Sequence, residues 1–106
     1  MKYGLKDKTI VALQQILSTN KNIDEAVLFG SRAKGSFQAG SDVDITLKGK
    51  GLTLTDISDI KTQLDDLLLP VIFDISIYEH IDNLDLLDHI QRVGSCIYTK
   101  RDTIIP

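Results

Sequence analysis

Residues 42–47 alternate strictly between polar and apolar side chains, and this pattern constrains the fold more than any other stretch of the sequence. The polar positions are Asp42, Asp44 and Thr46, and the apolar ones are Val43, Ile45 and Leu47. Successive side chains of a β-strand point to opposite faces, so a period of two predicts a strand with one buried face. Such a strand requires neighbouring strands and a hydrophobic layer packed against it.

The rest of the chain alternates between helical and strand patterns. Apolar residues at spacings of three and four predict helices over residues 7–18, 55–68 and 82–93, with Asp7 as the N-cap of the first. Short apolar or alternating runs predict strands over residues 25–29 and 71–78, and an edge strand at 97–98. We therefore expect an α/β fold in which a mixed three- to four-stranded sheet packs against helices.

Length and charge limit the class of protein. The chain has 106 residues, of which 42% are hydrophobic and 25% charged, which favours one globular domain over residues 1–106 without a separate substrate-binding domain. The net charge of −3 and the modestly basic first half argue against general nucleic-acid binding. The sequence shows no apolar run of about 20 residues and no signal-peptide pattern, so we expect a cytoplasmic protein.

The turn after the first predicted strand has the composition of a phosphate-binding loop. It reads Gly30-Ser31-Arg32-Ala33-Lys34-Gly35, with a possible helical turn at Ser31–Lys34. A glycine lets the backbone approach a phosphate closely, Ser31 offers a hydroxyl, and Arg32 and Lys34 supply positive charge. Ser36 stands where a P-loop requires lysine, which excludes that motif.

Three aspartates on predicted strands form the second candidate feature. Asp42 and Asp44 share a strand face, and Asp74 lies in the middle of the 71–78 strand. Aspartate is uncommon inside strands, and paired carboxylates with substrate phosphates are typical ligands of Mg²⁺. An EF-hand is excluded because Leu47 occupies the position of the loop glycine. An exposed acidic face is the alternative explanation.

The stretch from Gly30 to Asp44, GSRAKGSFQAGSDVD, resembles the signature of the DNA polymerase β-type nucleotidyltransferases, and most closely that of the minimal nucleotidyltransferases (MNT proteins). The resemblance implies that Gly30 and Ser31 bind the β- and γ-phosphates of a nucleoside triphosphate, with ATP the expected substrate. It also implies that Asp42 and Asp44 ligate two Mg²⁺ ions, with Mn²⁺ as a substitute. Asp74 would be the third metal-binding and catalytic carboxylate.

The same resemblance implies a partner and leaves three functions open. MNT proteins are typically paired with a small all-helical HEPN-type protein, and some pairs are toxin–antitoxin systems in which AMP is transferred to the toxin. The chain is thus expected to transfer AMP from ATP to such a partner, as an antitoxin in a hetero-oligomer. The alternatives are a non-catalytic nucleotide-binding subunit that neutralises or scaffolds a helical partner by contact, and a transferase that modifies a small hydroxylated molecule.

Two groups of residues outside these motifs carry weaker predictions. Ile81 and Leu84 point away from the apolar stripe of the last helix and are expected at a partner interface. His80 and His89 have no partner at helical spacing and are expected to have surface or capping roles.

Overall fold

The computed structural model describes residues 1–100, so the last six residues of the predicted 1–106 domain lie outside the described part. The elements in chain order are α1 (Asp7–Ser18), β1 (Glu25–Phe29), α2 (Ser31–Lys34), β2 (Val43–Lys48), α3 (Leu54–Asp65), β3 (Phe73–Ile77), α4 (Leu84–Val93) and β4 (Ser95–Thr99), with a 3₁₀ turn at Tyr78–His80 before α4.

The four strands form one mixed sheet in the spatial order β3-β2-β1-β4. β1 is antiparallel to both β2 and β4, whereas β2 and β3 are parallel. The parallel pair is joined through α3, since parallel neighbours need a crossover rather than a tight turn. The expected mixed α/β sheet packed against helices is confirmed.

The hydrophobic core lies between one face of the sheet and helices α1 and α3. Its buried side chains come from every strand and from both helices: Leu13, Leu17, Ala26, Leu28, Val43, Ile45, Leu47, Ile60, Leu64, Ile75, Ile77 and Ile97. Val43, Ile45 and Leu47 are fully buried in this core, as the alternation of β2 predicts, but Thr46 on the opposite face is fully buried as well. At about 25 cal/mol per Å² of apolar surface, burial of this kind is the dominant stabilising contribution.

The opposite face of the sheet, here called the open face, carries the polar side chains of β2 and β3. Helix α4 covers part of it beside β1, where the ring of His89 contacts Phe29. The predicted division of side chains between two faces therefore places Asp44 and Asp74 on the side away from the main core.

Several predicted boundaries are wrong by one to three residues. β2 begins at Val43, so Asp42 immediately precedes it, and β3 begins at Phe73 and ends where Tyr78 enters the 3₁₀ turn. Lys6, rather than Asp7, occupies the N-cap position of α1. Ile97, predicted at a short edge strand, belongs to the longer β4. Among the described residues, no helix has the length and apolar character needed to cross a membrane.

Candidate active site

The parallel pairing of β2 with β3 brings two of the three predicted carboxylates side by side. Asp44 is the register partner of Asp74, and neighbouring strands lie about 4.8 Å apart. Asp42, two residues ahead of Asp44, is exposed immediately before the same strand. Asp74 is exposed and Asp44 is half-buried, so this corner of the open face is accessible to a substrate.

The carboxylates influence one another electrostatically. The pKa of the Asp44 carboxyl is raised above its ordinary value by burial first, then by the negative charges of Asp74 and Asp42. Like charges held this close favour protonation of one group or the arrival of a cation. The three aspartates therefore form one electrostatic cluster.

The carboxylate oxygens of the three aspartates suit a hard cation that is bound together with a phosphate-bearing substrate. Among residues 1–100, no three His, Cys, Asp or Glu side chains are arranged to hold a metal ion by themselves. Mg²⁺ usually takes only one or two protein carboxylates and completes its octahedron with water and substrate phosphate oxygens. Asp44 and Asp74, paired in the register of the two strands, and the nearby Asp42 supply carboxylates of the kind that this requires.

The glycine turn lies directly beside this cluster. β1 ends at Phe29, which is the register partner of Asp44, and Gly30 follows at once with φ of 77°. A Cβ atom on Gly30 would collide with the Asp44 carboxylate, so both the backbone angle and the close approach require glycine. The predicted phosphate turn and the predicted metal carboxylates are thus neighbours in space.

Arg32 was predicted to contact phosphate, but the structure places its side chain inside the protein. It is only 2% exposed. Its guanidinium donates to the carbonyl of Tyr3 at 2.8 Å and to that of Ser41 at 2.8 and 3.1 Å, and it lies 5.1 Å from the Phe37 ring centroid. Arg32 therefore fixes the loop between α2 and β2, whereas Lys34 is exposed and available to a ligand.

His89, for which we expect a surface or capping role, is half-buried and lies against the glycine turn. Its Nε2 accepts a hydrogen bond of 3.0 Å from the backbone N–H of Gly30. The ring packs edge-on against Phe29 with centroids 6.2 Å apart. The available sequence signal was helical spacing: His89 lies three residues after Leu86 and four before Val93, on the inward side of α4.

Comparisons with known proteins bear on the family and the fold of this chain. The sequence pattern of the family described as polymerase beta nucleotidyltransferase matches residues 12–103, a span that includes the glycine turn and all three aspartates. No curated protein matches the chain at the sequence level.

Several solved structures share the fold. A toxin–antitoxin with AMP-PNP superimposes with a TM-score of 0.68 at 20% identity, covering 92% of this chain and 77% of that one. The tri-AMPylated HEPN toxin of Shewanella oneidensis in complex with MNT antitoxin gives 0.68 at 14% identity, covering 94% and 77%. A putative nucleotidyltransferase from Sulfolobus solfataricus gives 0.54 at 17% identity, covering 95% and 91%.

The structural matches show a common fold, and the sequence pattern spans most of the chain, including every residue of the candidate site. On that evidence, this chain belongs to the polymerase beta nucleotidyltransferase family.

Proposed function

We propose that this protein transfers AMP from ATP to a partner protein, as the antitoxin of a toxin–antitoxin pair. The observation that carries the proposal is the meeting of Asp44, Asp74 and Gly30 at one accessible corner of the sheet. The choice of nucleotide and acceptor is supported by the structures with this fold, one containing AMP-PNP and another a tri-AMPylated HEPN toxin with its MNT antitoxin.

In the proposed reaction, an acceptor hydroxyl attacks the α-phosphorus of ATP. A bond forms between the acceptor oxygen and this phosphorus, the bond to the bridging oxygen breaks, and pyrophosphate leaves. Asp74 takes the hydroxyl proton, because it is the exposed carboxylate on the outermost strand, where an incoming protein can reach it. Proton transfer by a positioned carboxylate typically contributes a factor of about 10²–10⁴.

The other site residues bind and orient the nucleotide. Gly30 and Ser31 receive the β- and γ-phosphates, with Lys34 contributing charge from the exposed side of the turn. Asp42 and Asp44, with Asp74, would hold two Mg²⁺ ions, for which Mn²⁺ can substitute. When bound, these ions would offset the charge that develops on the phosphate oxygens.

The proposed acceptor is a small all-helical HEPN-type protein bound in a hetero-oligomer. The structure with this fold that contains a tri-AMPylated HEPN toxin with its MNT antitoxin supports this choice of acceptor. ATP and such a toxin meet in the cytoplasm, which is where we place the reaction.

The test uses ATP labelled at the α-phosphate, Mg²⁺ and the full chain, with and without the protein encoded beside it. We expect label on that partner, none without Mg²⁺, and none with the variant Asp42→Asn/Asp44→Asn. A stable complex in which no label is transferred would contradict catalysis and support an antitoxin that acts by contact. Transfer of label to an aminoglycoside-type molecule, and not to the partner protein, would show that the acceptor is a small molecule.

A further inference from the structure

We propose that His89 is a positioning residue for the triphosphate-binding turn: it holds the Gly30 peptide in the orientation that directs the turn toward the nucleotide. The inference rests on the proposed function and adds to it a residue on α4, far in sequence from the turn and the aspartates.

The first observation is the hydrogen bond itself. The Gly30 N–H donates to Nε2 of His89 at 3.0 Å, which is ordinary N–H···N geometry. To accept this bond, Nε2 must be unprotonated, so the neutral imidazole carries its proton on Nδ1. The bond spans 59 residues of sequence and joins α4 to the turn that connects β1 and α2.

The second observation concerns the two peptides that flank Gly30. The following one is held by α2, because the Gly30 carbonyl accepts from the Lys34 N–H at 3.1 Å, whereas the preceding one carries the N–H that His89 binds. Gly30 follows the last residue of β1, so the ladder of the sheet ends before it. Its φ of 77° is available to glycine at low cost, but the same lack of a Cβ lets the peptide pivot. An external acceptor on the Gly30 N–H removes that freedom before the nucleotide arrives, which is how preorganisation raises affinity.

The third observation is that His89 is itself held in place. Its side chain is half-buried on the inward side of α4, and its ring packs at 78° against Phe29, the residue that precedes Gly30. Helix α4 is begun by Asn83, whose side chain accepts from the Leu86 N–H at 3.1 Å. The acceptor atom is therefore presented by a capped helix rather than by a mobile loop.

The experiment compares three variants of the full chain by titration with AMP-PNP and Mg²⁺. His89→Phe keeps a ring against Phe29 but has no acceptor. His89→Gln replaces the ring by an amide whose oxygen reaches a similar distance and accepts a hydrogen bond. His80→Gln is the matched control, because His80 is exposed in the 3₁₀ turn.

We expect His89→Phe to weaken nucleotide binding by about tenfold, the scale of one hydrogen bond to a preorganised group. His89→Gln should recover affinity to within about threefold of wild type, and His80→Gln should match wild type. The inference is overturned if His89→Phe binds as tightly as wild type, or if His89→Gln is as weak as His89→Phe, since then the acceptor is not what matters.

A readout without nucleotide separates failure of this inference from failure of the proposed function. In the wild type, the ¹⁵N shifts of His89 should show a proton on Nδ1, and the Gly30 amide should exchange more slowly than in His89→Phe. If no form of the chain binds AMP-PNP, the proposed function fails whatever the amide shows. If the Gly30 amide is the same in both proteins, the positioning role is overturned even when nucleotide binds.

Discussion

At the scale of single residues, Gly30 is where the constraints of the site meet. Its backbone angle lies in the left-handed region, its missing side chain leaves room for the Asp44 carboxylate, and its N–H is taken by His89. The glycine turn, Asp44 on β2 and His89 on α4 therefore all contact this one position, where only glycine fits.

We expect the negative charge of the aspartate cluster to be needed for AMP transfer and to lower the folding stability of the protein when no cation is bound. The pKa of Asp44 is raised by burial and by Asp74 and Asp42, so the ionised cluster is unfavourable in the folded protein without a cation. We expect Asp42→Asn/Asp44→Asn to reduce AMP transfer by more than about 100-fold. Its melting temperature without Mg²⁺ should equal or exceed that of wild type, measured by circular dichroism. Wild-type transfer by this variant would contradict the metal-site assignment.

The hydroxyl of the glycine turn should contribute directly to nucleotide affinity. We expect Ser31→Ala to weaken AMP-PNP binding by about 1–3 kcal/mol, the range for a hydrogen bond to a charged group. Ser36→Ala is the control, because Ser36 is exposed just beyond the turn. Calorimetric titration of both variants checks this, and equal affinities would remove Ser31 from the phosphate site.

Gly30→Ala should cause greater damage, since its Cβ meets the Asp44 carboxylate and φ is 77°. We expect a loss of at least about 1 kcal/mol in folding stability together with loss of detectable nucleotide binding. Urea unfolding and titration measure the two effects. A variant with native stability and affinity would show that the close approach of turn and carboxylate is not needed.

At the scale of elements, α3 shows how a helix start is fixed by side chains. Thr53 and Asp56 form a reciprocal capping box: the Asp56 carboxylate accepts from the Thr53 N–H at 2.8 Å, and the Thr53 hydroxyl accepts from the Asp56 N–H. Asn20 at the end of α1 also donates to Asp56 at 3.0 Å. The box therefore positions the crossover helix that places β3, and with it Asp74, beside β2.

This box predicts a pH dependence of folding stability. The hydrogen bond from the Thr53 backbone, and then the one from Asn20, hold the pKa of Asp56 below its ordinary value of 3.8. A carboxyl whose pKa is lowered by folding stabilises the protein above its unfolded value, and this contribution is lost as the pH falls through the folded value. Asp56→Asn should therefore lower the melting temperature at pH 7, with a difference that shrinks below about pH 3.8.

Asp59→Asn is the matched control, because Asp59 is exposed on the same helix. Thr53→Ala should cost about 1 kcal/mol, the usual contribution of a helix N-cap. A pH-independent difference between Asp56→Asn and wild type would contradict the electrostatic account of the box.

At the scale of the whole molecule, the sheet separates stability from chemistry: one face holds the core and the other holds the site. The alternation within residues 42–47 and the helical stripes were enough to predict this arrangement, since burial follows periodicity directly. The sequence indicates the pairing of Asp44 with Asp74 only through the place of Asp74 in the middle of a later strand. Its register depends on the α3 crossover, which no local pattern encodes.

Two site features could not be predicted because they depend on tertiary contacts. The charge of Arg32 suggested a phosphate contact, but the carbonyls that bind it come from Tyr3 and Ser41, on opposite sides of it in sequence. His89 has no partner at helical spacing, and its partner in the structure is a backbone group of the turn. Sequence patterns report side-chain types, whereas both interactions use backbone atoms as partners.

The proposed partner should be sensitive to the exposed apolar start of α4. Leu84 is 78% exposed, as its predicted interface role requires, but Ile81 is half-buried and would disturb the fold if replaced by lysine. We expect Leu84→Lys to weaken the complex with the helical partner by more than about tenfold. Leu54→Lys is the control, since Leu54 is 74% exposed on α3. Equal effects of the two variants in a pull-down would place the interface elsewhere.

The position of β3 at the end of the sheet has a consequence for handling the protein. Among the described strands, none pairs with its outer edge, and the nearby Leu68 and Ile72 are 89% and 69% exposed. An open edge flanked by apolar side chains is a template for intermolecular β-sheet, and charged residues on such a strand discourage it. We therefore expect the charge of Asp74 to oppose aggregation at this edge. We expect Asp74→Asn to form insoluble aggregate faster on heating than Asp44→Asn, although each removes one charge.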